Sequence, residues 1–391
     1  MKNILLVGGE FSNKGAELMI YSAQKQIEKH LPNCKIYLSP TLASLEKLRK
    51  NNFHPLNFPL YHVGHKSPRV FKFILKYPFL MKKYIELRGL GKFEGDVSLK
   101  DIDIVFDISG YAFTSKWGLS PVINLKAQIE YIQERKGVYI FLPQAFGPFS
   151  EEQVPYMNSC IDKASLVIAR DRVSYENLKE INNLPKKINQ FPDITLSFKV
   201  ENELGIKEKY CCIVPNIRML DRGGELWAEK YIELLKNSIS YLIEHDTCKI
   251  KIVNHSKSDD RDLVVKIGDI FSEEARVETV FEESPLLLKQ LLGGSCFNIA
   301  SRFHAVASSL SSGVPCIMTS WSHKYQELAE DFGVKEFCLQ KPDMSQLYSN
   351  LDNLMDSEKN NALRDRIENK NLTNLKSNNE MWDKIKEIVF R

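Results

Sequence analysis

Short apolar runs and amphipathic stretches alternate along most of the 391-residue chain. Residues 4–7 are apolar and end in Gly8-Gly9; after the polar loop EFSNKGAE, residues 17–30 carry apolar positions at helical spacing. The alternation continues with strands expected at 35–38, 103–108, 137–142 and 165–169, and helices at 122–135 and 151–163. The stretch ENELGIKEK at 201–209 breaks the pattern and reads as a linker. A second alternation follows, with strands expected at 210–214, 249–253, 276–280, 296–300 and 314–319. Helices are expected between them at 225–244, about 259–271, near Pro285 and at 302–312, and the tail from Asp343 is helical and charged. Two sets of alternating strands and helices predict an α/β chain with two Rossmann-like domains, 1–204 and 205–391, facing across a cleft.

The stretch CFNIASRFHAVASSLSSGVPCIMTSW, residues 296–321, concentrates the chemistry. Ser301 is expected as the N-cap of a short helix and Gly313 as the residue just past its end. The first turn of a helix leaves backbone N–H groups unpaired, and Arg302 and His304 stand beside them, so a phosphate or carboxylate is the natural guest. Residues two apart on a helix point about 200° apart, so these two side chains converge only on something beyond the helix end. A solvated arginine and a packed histidine are the alternative.

In the first loop, glycines 8, 9 and 15 do not spell G-x-G-x-x-G, and NKGAE is not the end of a P-loop, so neither a dinucleotide nor an ATP fingerprint is present. Asn13, Lys14 and Glu17 are expected on the rim of a cleft, with a plain solvated loop as the alternative. Asp101 and Asp103 precede their strand and read as strand-entry residues, whereas Asp107 and Ser109 lie at its carboxyl end, where α/β sheets bind ligands.

Charge and cysteine usage narrow the classes. Lys and Arg total 53 against 50 acids, a net charge of +3, so nucleic-acid binding driven by overall charge is not expected and any anion recognition is local. One exception is the segment 66–88, with seven Lys or Arg and a single acid among Phe71, Phe73, Ile74, Leu75 and Phe79. Such a segment can lie on an anionic membrane surface, or pack its apolar side on the domain. No apolar run reaches the roughly 18 residues of a spanning helix, and no opening segment has the pattern of a secretion signal, so a cytosolic protein is expected, with peripheral membrane contact through 66–88. The eight cysteines are scattered, without C-x-x-C spacing, and the eight histidines form no ligand pattern; no structural zinc site is expected.

Taken together, NKGAELM, IARDRVSYENL, FPDITLSF, NIR at 216–218 and SRFHAVASSLSSGVPCI followed by Lys324 resemble the polysaccharide pyruvyl transferases, from the first strand to about residue 335. The resemblance implies a fold like the GT-B glycosyltransferases, phosphoenolpyruvate as donor substrate with no other cofactor, a sugar or lipid-linked glycan as acceptor, and a ketal product. The first domain would be the acceptor side and the second the donor side. Arg302 and His304 look like the donor-binding and catalytic pair, and Arg218 like an additional arginine. The chain departs from the family at Ser109-Gly110-Tyr111, where consecutive glycines are frequent, and at SWSHK before Lys324. The chemistry agrees: a small molecule with a phosphate and a carboxylate needs several cations, which Arg218, Arg302 and Lys324 can supply. Histidine suits proton transfer near neutral pH, so His304 is the expected acid, with Glu17 or Asp107 accepting the hydroxyl proton. The alternatives are a glycosyltransferase or epimerase using a nucleotide sugar, and an inactive glycan-binding protein.

Overall fold

The computed structural model describes residues 1–11, 13–39, 44–56, 97–182, 187–200, 205–206, 208–256 and 259–391. The basic segment 66–88 lies outside the described residues, as does most of the expected linker. Backbone contacts group the chain into two compact units: Met1–Phe11, Met19–Ile194 and Ser377–Arg391 form one, Ser12–Leu18 and Thr195–Lys376 the other. The units part between Ile194 and Thr195 rather than near residue 205, and the end of the tail belongs with the first unit.

The first unit holds seven parallel strands: β1 (Lys2–Val7), β2 (Cys34–Leu38), β3 (His54–Pro55), β4 (Ile104–Asp107), β5 (Val138–Gln144), β6 (Leu166–Ala169) and β7 (Ile188–Gln190). Their order in the sheet is β3-β2-β1-β4-β5-β6-β7. The second unit repeats the plan with β8 (Tyr210–Val214), β9 (Lys249–Val253), β10 (Val277–Val280), β11 (Asn298–Ala300), β12 (Cys316–Thr319) and β13 (Cys338–Leu339), ordered β10-β9-β8-β11-β12-β13. Parallel strands covered by helices on both faces read as continuous apolar runs, and YCCIV of β8 and IVFD of β4 are buried throughout. In each sheet the order reverses at one place, between β1 and β4 and between β8 and β11, and ligands of open α/β sheets bind beyond the strand ends there.

The sequence patterns of the first unit have packing explanations. Asp171 caps the helix Arg172–Ile181 by accepting from the Ser174 N–H at 2.7 Å, and the Ser174 hydroxyl accepts from the Phe146 N–H at 3.0 Å. Asn177 donates to the Phe146 carbonyl at 2.9 Å, and Leu178 is fully buried. Arg170 reaches Asp193 of FPDITLSF at 3.1 Å, a pair almost wholly removed from water. The R-D-x-x-S-x-x-x-L pattern and the PD after it are therefore one clamp holding the loop after β5.

The helix Ser357–Val389 ends against the first unit because Met381, Trp382, Ile385 and Val389 enter its core. Trp382, fully buried, lies parallel to the His30 ring at 5.3 Å and edge-on to Phe106 at 5.8 Å. Burial, with Lys29 and Lys386 adding to it and Asp383 opposing, lowers the His30 pKa to about 4. An unfolded histidine titrates near 6.5, so between about pH 6.5 and 4 the unfolded chain takes up a proton that the folded chain refuses. This contribution to stability is complete above pH 6.5 and is lost as the pH falls through that window. His30→Phe keeps a ring on Trp382, and denaturant titrations at pH 7 and pH 4.5 should show its acid loss of stability smaller than wild type by about 1–2 kcal/mol, after allowance for solvent screening.

Candidate active site

In the second unit the loops following β8 and β11 are tied together at the reversal of strand order. Asn216, almost wholly buried, donates through Nδ2 to the Ser301 carbonyl at 2.7 Å. Tyr231 accepts from the Asn216 N–H at 3.0 Å and donates to the Ser301 hydroxyl at 2.6 Å. Thr319 donates to the same hydroxyl at 2.6 Å, and the Tyr325 hydroxyl donates to the Ser301 carbonyl at 2.8 Å. Ser301 is thus a buried hub and not the expected helix cap. The cap position of the helix Phe303–Ser311 falls to Arg302, whose side chain makes no capping bond.

Arg302 is held by a residue the sequence reading missed. Asp260, with no exposed surface, accepts from Arg302 Nε at 2.7 Å and Nη2 at 2.6 Å, a two-pronged pair, and also from the Ile217 N–H at 2.9 Å. One carboxylate therefore fixes both the NIR loop and the SRFH turn, while Arg302 Nη1 makes no hydrogen bond among the described residues. Arg218, at the start of the helix Arg218–Asp221, pairs with Asp221 at 2.6 Å and with Asp259 at 3.4 Å. The hydrogen bond it donates to Asp221 leads the effects that raise its pKa. Removing one partner of a buried, two-pronged pair strands the other, at about 2–4 kcal/mol. Asp260→Ala should lose stability in that range by chemical denaturation, where a surface substitution stays within about 0.5 kcal/mol.

His304 lies over the helix Lys14–His30, whose first turn belongs to this unit. A Cβ placed on Gly15 would sit 2.2 Å from His304 Nδ1 and 2.9 Å from Cε1, so the ring rests where any side chain at 15 would be. The lack of a Cβ, not backbone freedom, is what Gly15 supplies. The rim expectation is corrected for Lys14 and Glu17, whereas Asn13 is exposed. Lys14 and Glu17 are buried, Lys14 donating through Nζ to the Glu282 carbonyl. Asn13 caps the helix by accepting from the Gly15 N–H at 2.9 Å and the Ala16 N–H at 3.3 Å. The helix begins three residues before the expected position because this cap lies in the loop itself.

His255, just after β9, was also missed in the sequence. It is buried, and desolvation, with the fields of Arg302, His304 and Lys14 acting the same way, lowers its pKa to about 3. It stays neutral beside Arg302 and Lys14. Lys324 is brought beside the same turn: its Nζ lies 4.8 Å from the Trp321 ring, 5.4 Å from Phe303 and 5.5 Å from Tyr325, within reach for cation–π attraction. The second unit thus assembles Lys14, Arg218, Arg302, His304 and Lys324 near one set of strand ends, with Glu17 in the same helical turn as Lys14. Among the described residues, no three His, Cys, Asp or Glu side chains converge as a metal site.

Asp107 belongs to the first unit, at the end of β4. Its carboxylate accepts from the Tyr139 hydroxyl at 2.7 Å, the Ser109 N–H at 2.9 Å and Gln144 Nε2 at 3.3 Å. Burial pushes its pKa up, against these hydrogen bonds. Gly8, at φ 85°, lets β1 pass this loop, since a Cβ there would come within 2.1 Å of Ser109 Oγ.

Two parallel sheets with a ligand-side set of loops define a two-domain α/β fold of GT-B type, and solved structures agree. A glycosyltransferase from Rickettsia africae superposes with a TM-score of 0.61 at 14% identity, covering 99% of this chain and 97% of its own. UDP-GlcNAc 2-epimerase from Neisseria meningitidis, bound to UDP-GlcNAc, gives 0.59 at 12% identity, covering 100% of both chains. The same enzyme from Methanocaldococcus jannaschii gives 0.58 at 11% identity, covering 92% of this chain and 94% of its own. At these identities the likeness is one of fold. A sequence search of curated proteins returns no match. The sequence model of polysaccharide pyruvyl transferases matches residues 13–323, and the chain belongs to that family.

Proposed function

We propose that this protein moves the pyruvyl group of phosphoenolpyruvate onto two hydroxyls of a glycan, releasing phosphate and forming a cyclic ketal. The observation that carries the reading is the joining of the NIR loop and the SRFH turn at the β8/β11 reversal, with Arg302 fixed by Asp260 and His304 seated on Gly15. Family membership supports a glycan acceptor.

In this reading the donor's phosphate and carboxylate lie against Arg218, Arg302 and Lys324, with the charge of Lys14 behind them. The guanidinium fork suits either anionic group. His304 gives a proton to the methylene carbon while a sugar hydroxyl attacks the neighbouring carbon and loses its proton to Glu17. Phosphate leaves with the C–O bonding pair. The second hydroxyl then adds to the same carbon and gives up its proton to the departed phosphate, so that the methylene has become a methyl and two C–O bonds have replaced the enol phosphate.

The test is phosphate release from phosphoenolpyruvate with and without a glycan that carries a neighbouring pair of hydroxyls. Release that needs both substrates, with acid-labile pyruvate in the product, is expected. No release with any such glycan, alongside turnover of a nucleotide sugar, would replace this reading with a glycosyl-transfer or epimerase activity.

A further inference from the structure

Asp259 stands between the two arginines of the proposed anion site. Its Oδ2 lies 3.4 Å from Arg218 Nη2 and 3.9 Å from Arg302 Nη2, so one carboxylate oxygen faces both guanidinium groups. Among the described residues no other carboxylate pairs with both: Asp221 pairs with Arg218 and Asp260 with Arg302. The two neighbours Asp259 and Asp260 differ in kind. Asp260 has no exposure and short contacts of 2.6 and 2.7 Å, and it carries the loops. Asp259 is 43% exposed and its contacts to the arginines are long.

We propose that Asp259 is an internal competitor for the anion site, a carboxylate that bridges Arg218 and Arg302 until a phosphate or carboxylate of the ligand displaces it. The proposal rests on the reading of these two arginines as an anion site. Its physical basis is an exchange of partners. Exposed ion pairs with long contacts are weak and easily parted, while an incoming phosphate offers up to two charges and several acceptor oxygens to the same two forks. A single negative charge only replaces what Asp259 already provides. A multiply charged ligand gains, so the residue also selects for such ligands.

The sign of the effect separates this role from a structural one. Removing a competitor tightens anion binding, whereas removing a support loosens it. Inorganic phosphate and phosphoenolpyruvate are titrated by calorimetry into wild type, Asp259→Ala and Asp259→Asn, each checked for a near-wild-type melt, which its exposure favours. The expected result is phosphate binding about three- to tenfold tighter in both variants, the size of one or two partly exposed ion pairs. Weaker or unchanged binding in the two folded variants overturns the proposal, as does the absence of phosphate binding in all three proteins. Tighter phosphate binding with no preference for phosphoenolpyruvate supports the competitor role and removes the pyruvyl-donor reading, so the two fail separately.

Discussion

Replacing His304 by alanine should lower turnover by about 10²–10⁴ while leaving donor affinity close to wild type. Positioned general acids contribute on that scale, and histidine is the side chain whose ordinary pKa lies nearest neutrality. The two arginines are oriented by carboxylates, Arg302 by Asp260 and Arg218 by Asp221 and Asp259. Calorimetry with phosphoenolpyruvate, run beside phosphate release, separates proton transfer from donor binding. Affinity falling as steeply as turnover would mean that the imidazole binds the donor and does not move the proton.

Gly15→Ala should divide stability from activity in the same way. In a helix, alanine is favoured over glycine by up to about 1 kcal/mol, so the melting temperature should hold or rise slightly. The new Cβ would nonetheless come to 2.2 Å from His304 Nδ1, and the ring has to leave its seat. A displacement of about 1 Å at a reacting group can cost a hundredfold, so turnover should fall by roughly that factor in a protein as stable as wild type. Steady-state kinetics and a thermal melt on the same preparation check it; unchanged turnover would mean that the seat of His304 does not matter.

The fold was legible because parallel strands covered on both faces must be apolar along their length, and runs such as YCCIV and IVFD announce themselves. The short strands His54–Pro55, Ile188–Gln190 and Cys338–Leu339 escaped notice, two or three residues being too few to show a period. Of the candidate site, SRFH and NIR could be read from residue type and strand-end position. What those residues lean on could not. Asp260 and His255 lie in an ordinary polar stretch after β9, and only the sheet order places that strand beside β8. That order is also the missing signal: a polar pair such as Asn254-His255 directly after a buried strand marks a strand end in a ligand-binding sheet. Ser301 looked like a cap because serine before a helix normally is one. Here three buried hydroxyls, from Tyr231, Thr319 and Tyr325, converge on it. Lys14 and Glu17 are expected on a cleft rim because their loop follows a strand end. Their burial is set by the contacts of the first helical turn with the second unit's chain, which local sequence does not record.

The donor decides the account. Wild-type protein titrated in a calorimeter with phosphoenolpyruvate, and separately with UDP-N-acetylglucosamine, should bind the first and not the second, and Arg302→Ala should weaken the first by about ten- to a hundredfold, the loss of one charge-assisted contact. Tight binding of the nucleotide sugar with none of phosphoenolpyruvate would contradict it.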